Sequence, residues 1–173
     1  MKTLEDYIRV TPDFPKPGIV FRDISTLVAD PEGMRLCVSQ LAEPYRAAGI
    51  DRVAGLEARG FILGAALALE LGKGFLPIRK KGKLSGPVIG ESYALEYGEA
   101  EIEMNDDVLR PGERVLMVDD LLATGGTAEA GINLVERVGA EVVSCAFVVD
   151  LLDVGGRARL EGRGMEVFSL LRY

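Results

Sequence analysis

Residues 115–128 read VLMVDDLLATGGTA, an order of residue types that can do chemistry. The apolar run Val115, Leu116, Met117 and Val118 predicts a buried parallel strand that ends in acid. Asp119 and Asp120 then stand at its carboxyl end, where ligands bind in open α/β sheets. Ala123, Thr124, Gly125, Gly126 and Thr127 lead into a predicted helix over 125–138, closed by Gly139. Glycines let backbone N–H groups approach an anion, threonine hydroxyls add donors, and a helix N-terminus adds favourable partial charge. The loop reads as a cradle for one phosphate. Neither G-x-x-x-x-G-K-[ST] nor G-x-G-x-x-G occurs, so the common triphosphate and dinucleotide loops are excluded. Paired acids beside such a cradle can accept hydrogen bonds from vicinal sugar hydroxyls and can hold magnesium or its waters. Asp-Asp and Gly-Gly pairs also occur in solvated turns; the order strand, acids, Gly-Thr loop, helix is what favours a site.

Several reaction classes are absent. The 173 residues include no His, which removes Ser-His-Asp and Cys-His mechanisms and His-ligated zinc. Cys37 and Cys145 are the only cysteines and lie in separate apolar stretches, so both read as small buried hydrophobes in a reducing, cytoplasmic setting. The start, MKTLEDYIRV, lacks the layout of a signal peptide, and the apolar stretch 61–69 is broken by Gly64 and too short to span a bilayer. With 27 Asp+Glu against 20 Lys+Arg, the net charge of −7 repels nucleic acid and anionic membranes. Any anionic ligand must therefore be held by a local site.

The elements that position these residues alternate as βαβ units. Asp30 and Pro31 cap a helix in which Met34, Cys37, Val38, Leu41 and Tyr45 recur at helical spacing until Gly49. Strands are predicted over 52–56, 75–79, 142–149 and 165–170, and a helix over 60–71 that stops at Gly72. Residues 80–90, KKGKLSGPVIG, predict a mobile basic loop, followed by a strand pair, 92–97 and 99–104, around Gly98. The expected fold is an α/β single domain over 1–173: an open, mostly parallel sheet flanked by helices on both faces. Within it, residues 1–30 form an N-terminal segment and 80–104 the flexible loop and strand pair. The amphipathic start, Leu4, Tyr7 and Ile8, is expected to pack on a partner subunit.

The acidic pair and Thr-Gly-Gly-Thr loop resemble the shared motif of the type I phosphoribosyltransferases. Three further segments resemble the branch of that family that acts on adenine: 14–24 (FPKPGIVFRDI), 54–61 (AGLEARGF) and 92–98 (SYALEYG). They occur in the family's order along essentially the whole chain. Ala94 falls where family members vary, and Asp150 stands where the family often has Glu, which bears on the placing of Leu151.

The resemblance implies a role for each piece. Asp119 and Asp120 would bind the ribose hydroxyls and act in the magnesium shell, and Ala123, Thr124, Gly125, Gly126 and Thr127 would hold the 5′-phosphate. Glu57, Ala58 and Arg59 would form the pyrophosphate loop, often with a cis peptide between the first two, helped by Arg79, Lys80 and Lys83. Glu96 would be the general acid/base, carried in by a closing loop. Val20, Phe21 and Arg22 would hood the base, with Leu151 on its opposite face. Taken alone, Glu57 and Arg59 read as a surface pair, Glu96 as an exposed strand residue and Phe21 as core. The implied activity converts adenine and 5-phosphoribosyl 1-pyrophosphate to AMP and pyrophosphate in purine salvage. It would depend on Mg2+, pass through an oxocarbenium-like transition state, and be carried by a homodimer. Another purine base, a phosphoribosyl pyrophosphate sensor without catalysis, and a ligand-free α/β domain remain as alternatives.

Overall fold

The computed structural model describes residues 2–95 and 98–173. The N-terminal segment forms a small hairpin, β1 (Arg9–Pro12) antiparallel to β2 (Val20–Asp23), followed by the short helix α1 (Ser25–Ala29). Asp30 then caps α2 (Pro31–Ala42), its carboxylate accepting from the Glu32 and Gly33 amides at 2.9 and 3.0 Å, an arrangement that stabilises a helix by about 1 kcal/mol. The helix ends before Tyr45, which lies in a 3-10 turn, so the predicted helix is one turn too long. Leu4, Tyr7 and Ile8 are buried in this chain's own core beside Leu27, Cys37 and Leu41, not left free for a partner. Their apolar face is satisfied locally.

The main sheet contains β3 (Arg52–Leu56), β4 (Gly74–Lys80), β5 (Val88–Ala94), β6 (Glu99–Asn105), β7 (Arg114–Leu122), β8 (Glu141–Asp150) and β9 (Val167–Arg172). Its order is β5-β6-β4-β3-β7-β8-β9: five parallel strands from β4 to β9, with β6 and β5 added antiparallel at one edge. Helix α3 (Arg59–Leu71) connects β3 to β4, and α4 (Gly126–Arg137) connects β7 to β8. The two connections leave the middle of the sheet in opposite directions and cover opposite faces. Along β7, Leu116 and Val118 pack with α2 and α3, whereas Val115 and Met117 pack with α4. The carboxyl ends of β3 and β7 therefore flank a topological switch point, the place where ligands bind in such sheets.

Three expectations are corrected. β7 does not stop in acid but continues through Leu122, because Asp119, Leu121 and Leu122 keep their pairing with Phe147, Val149 and Asp150 of β8. The basic loop narrows to residues 81–87: Val88 and Ile89 pair with Asn105 and Met104, and Ile89 packs on the core. The strand predicted over 92–97 starts earlier, at Val88, and Glu96 and Tyr97 lie outside the described residues. The short helix α5 (Gly156–Glu161) was not legible as a helix, being six residues between glycines. Both cysteines are fully buried free thiols, and burial pushes each up to about 12. No helix among the described residues is long and apolar enough to cross a membrane.

Candidate active site

The register of β3 on β7 builds the site. Gly55 pairs with Val118, so β3 ends as Asp119 begins, and the turn at Glu57 and Ala58 faces the acids across the gap. The Glu57–Ala58 peptide is cis. The turn feeds α3 at Arg59, whose Nε donates to Asp120 Oδ2 at 2.6 Å. Only glycine fits at the next position: a Cβ on Gly60 would lie 2.9 Å from both Asp119 Oδ1 and the Val118 carbonyl oxygen. Glu57, Ala58, Arg59, Asp119, Asp120 and Leu121 line a cavity of about 310 Å³.

A smaller recess of about 90 Å³ adjoins it, lined by Asp119, by 121–128 and by Phe147. Here β7 turns into α4 through Gly125, whose φ of +78° is one that glycine adopts at no steric cost. Gly125 is the N-cap of α4, so the free amides of the first helical turn open on the recess. Thr124 Oγ1 lies 3.5 Å from the Gly126 amide, and the Gly156 amide donates to Ala123 O at 2.9 Å, fastening α5 to the loop. The predicted phosphate cradle and acidic pair are thus contiguous.

The two acids differ. The Asp119 carboxyl is raised well above its usual value, chiefly by desolvation and then by the charge of Asp120. Its Oδ1 accepts from the Asp120 amide at 2.9 Å. Asp120 is buried and carries the Arg59 guanidinium. Among the described residues no three His, Cys, Asp or Glu side chains are grouped to hold a metal ion.

Glu57 is turned to a supporting task. Its Oε2 accepts from the Lys80 amide at 2.8 Å and from Arg79 Nε at 3.3 Å. The Lys80 amide, then Arg79, hold the Glu57 carboxyl below its usual value against partial burial. Arg79 also donates to the Lys83 carbonyl at 3.1 Å, so the basic loop is tied at its root while the Lys80 and Lys83 side chains stay exposed. In the hood, Phe21 stacks edge-on with Phe14 at 5.2 Å, and Arg22 lies 4.1 Å over the Tyr173 ring. The Tyr173 carbonyl accepts from the Leu152 amide, and the Leu122 carbonyl from the Leu151 amide. Arg22 and Leu151 are therefore brought to the same end of the sheet, while Val20 remains half exposed.

The sequence profile of the phosphoribosyl transferase domain matches residues 25–166. The adenine phosphoribosyltransferase of Roseobacter denitrificans is 62% identical over 173 residues, covering 100% of this chain and 98% of its own. The chain belongs to the adenine phosphoribosyltransferases, a branch of that family. Among solved structures, the enzyme of that name from Thermoanaerobacter pseudethanolicus superposes with a TM-score of 0.93 at 42% identity, over 99% of this chain and 100% of that one. The enzyme from Saccharomyces cerevisiae, complexed with adenine and an imino-altritol bisphosphate, superposes with a TM-score of 0.90 at 37% identity, over 97% and 96%.

Arg157, Arg159 and Tyr173 were not singled out from sequence, and Asp150 was noted there without its partner. Asp150 is fully buried, with Oδ2 accepting from Arg157 Nε at 2.6 Å and Oδ1 without a partner among the described residues. Arg157 also binds the Val167 carbonyl and Ser169 hydroxyl, locking the segment that carries Leu151 to β9. Arg159 pairs with Glu129 beside the cradle. The one available signal was Gly155-Gly156 before these arginines, echoing Gly125-Gly126; Tyr173 offered none.

The raised carboxyl of Asp119 fixes the sign of a pH effect. A carboxyl with a folded-state value above its unfolded one contributes stability below the unfolded value, about 4, and loses it as pH rises through the folded value. Asp119→Asn is expected to raise Tm at pH 8 and to lose that gain as pH falls towards 4. Melting curves across that range check this, and an equal Tm at pH 8 would contradict it.

Proposed function

We propose that this protein transfers the 5-phosphoribosyl group of 5-phosphoribosyl 1-pyrophosphate to adenine, giving AMP and pyrophosphate, in the purine-salvage branch of AMP synthesis. One observation carries the reading: a carboxylate pair, an anion cradle and a guanidinium share one crevice in a chain with 62% full-length identity to a named adenine phosphoribosyltransferase.

The amides and hydroxyls of 123–127 hold the 5′-phosphate at the N-terminus of α4. Asp119 and Asp120 accept hydrogen bonds from the ribose hydroxyls. Arg59 exchanges Asp120 for the pyrophosphate, which suits its planar fork, while Lys80 and Lys83 supply charge from the basic loop. Phe21 and Leu151 sandwich the base, whose edge meets the backbone of Val20 and Arg22. A base nitrogen attacks the anomeric carbon as the bond to pyrophosphate breaks. Positive charge develops on the ribose ring, and the acids that hold its hydroxyls stabilise it. Glu96 takes the proton released by the base. No protein nucleophile is required, in keeping with the lack of His.

The hard oxygen donors of the adjacent Asp119 and Asp120 suit a magnesium ion held by one or both of them, directly or through water, and by substrate oxygens. When bound, the ion supplies charge neutralisation of the leaving pyrophosphate.

A homodimer in the cytoplasm completes the reading. Between Arg59 and Glu70 helix α3 carries no polar side chain: Leu63 and Leu67 face the core, while Ile62 and Leu69 are 47% and 83% exposed. Such a helix is ordinarily covered on both sides. The buried free thiols suit a reducing compartment.

Purified protein with magnesium and 5-phosphoribosyl 1-pyrophosphate, offered adenine, hypoxanthine, guanine and xanthine separately, should yield AMP alone by mass analysis. Another nucleotide would overturn the base assignment; binding without product would leave the sensor reading. Asp120→Asn should lower turnover by about 100-fold or more while keeping the fold, and near-normal turnover would refute its role. Light scattering at micromolar concentration should give twice the chain mass, shifted to monomer by Ile62→Asp; a monomeric parent would sink the dimer.

A further inference from the structure

We propose that Arg159 is a further phosphate-binding residue, supplying the cationic contact to the 5′-phosphate that the cradle itself lacks. This rests on the phosphoribosyl reading above. Residues 123–127 contain no cation, yet a phosphate monoester brings about −1.5 to −2 charge at neutral pH. Arg59 is engaged with Asp120 and Arg79 with Glu57, both on the pyrophosphate side of the crevice.

Arg159 stands on α5, which the hydrogen bond from Gly156 to Ala123 ties to the cradle. A Cβ built on Gly125 would lie 3.6 Å from Arg159 Cδ, and one on Gly126 would lie 3.7 Å from Arg159 Nη1. The guanidinium therefore sits beside the two glycines at the mouth of α4. It lines a cavity of about 630 Å³ with Tyr93, Leu95, Thr124, Thr127 and Val154, and its side chain is 47% exposed, which leaves it room to turn.

Its partner is Glu129 in the first turn of α4, with Nε donating to Oε2 at 2.8 Å. A carboxylate so near a bound phosphate would weaken binding unless neutralised. Arg163, which donates to Glu136 at 2.9 Å, also lies 3.6 Å from the other Glu129 oxygen. Arg159 can thus move from Glu129 to the phosphate with the Arg163 cation still beside Glu129. The exchange replaces a partly buried carboxylate with a more highly charged oxyanion that a guanidinium can grip through two N–H groups.

Arg159→Gln, Arg159→Lys and Glu129→Gln, compared with wild type, test this through steady-state kinetics, melting curves and calorimetric titration with ribose 5-phosphate. Arg159→Gln should raise KM for 5-phosphoribosyl 1-pyrophosphate and weaken ribose 5-phosphate binding by about tenfold or more, with KM for adenine and Tm little changed. Arg159→Lys should recover part of the affinity, and Glu129→Gln should leave it equal or tighter. If Arg159 serves only to staple α5 to α4, the two Gln variants will behave alike, with lowered Tm and unaltered ribose 5-phosphate affinity, and the proposal fails. Wild-type protein that makes no AMP would overturn the reading beneath it instead, and the ribose 5-phosphate titration would still decide the Arg159 assignment.

Discussion

Parallel pairing of β3 with β7 is the constraint on which the rest depends. Because Gly55 lies opposite Val118, the chain leaves β3 beside the two acids, and the N-terminus of α3 enters the space they face. That approach is close enough to require glycine at position 60. A register shift of one residue would turn Asp119 and Asp120 to exchanged faces and break both the Arg59 contact and the cradle's continuity with the acids. The site is thus a property of two strands and two helix N-termini held in one register.

Charge is managed by pairing at rest. The chain is acidic, yet its ligand by this reading is a polyanion, and three guanidinium groups near the crevice rest on carboxylates: Arg59 on Asp120, Arg79 on Glu57 and Arg159 on Glu129. Each guanidinium is partly open to solvent while its carboxylate is more buried, so exchanging it costs less than breaking a fully buried pair. The arrangement keeps guanidinium groups oriented without committing them. Asp119 shows the opposite face of the same economy: a carboxyl held in a desolvated place beside a like charge is tolerated at a functional centre where an ordinary core would exclude it.

The hood is anchored by contacts between distant parts of the chain. Phe21 leans on Phe14, and Arg22 covers the ring of the final residue, Tyr173, whose backbone pairs with Asp150 and Leu152. Asp150 and Arg157 then lock that end of β8 to β9 through a direct 2.6 Å ion pair. The N-terminal hairpin and the C-terminus are in this way brought to one edge of the crevice.

Residues 115–128 carried most of what was legible beforehand, because a buried parallel strand, a glycine loop and a helix start are local patterns with local causes. The same holds for the Asp30 cap and for the end of α3 at Gly72, where a left-handed conformation stops the helix. What local patterns could not decide was where strands stop and which side chains meet. β7 runs past its acids only because β8 continues beside it, and Val88 becomes strand only because β6 pairs with it. Leu4, Tyr7 and Ile8 carry an apolar face that the sequence shows, but only packing against Leu27 and Leu41 assigns it to the chain's own core. Arg159 and Tyr173 reach the site from residues far along the chain, through a short helix and a terminus that have no periodicity of their own. Residue type and local spacing determined the chemistry available here; long-range pairing and packing decided which of those groups share a crevice, since sequence separation carries no information about distance once the sheet has formed.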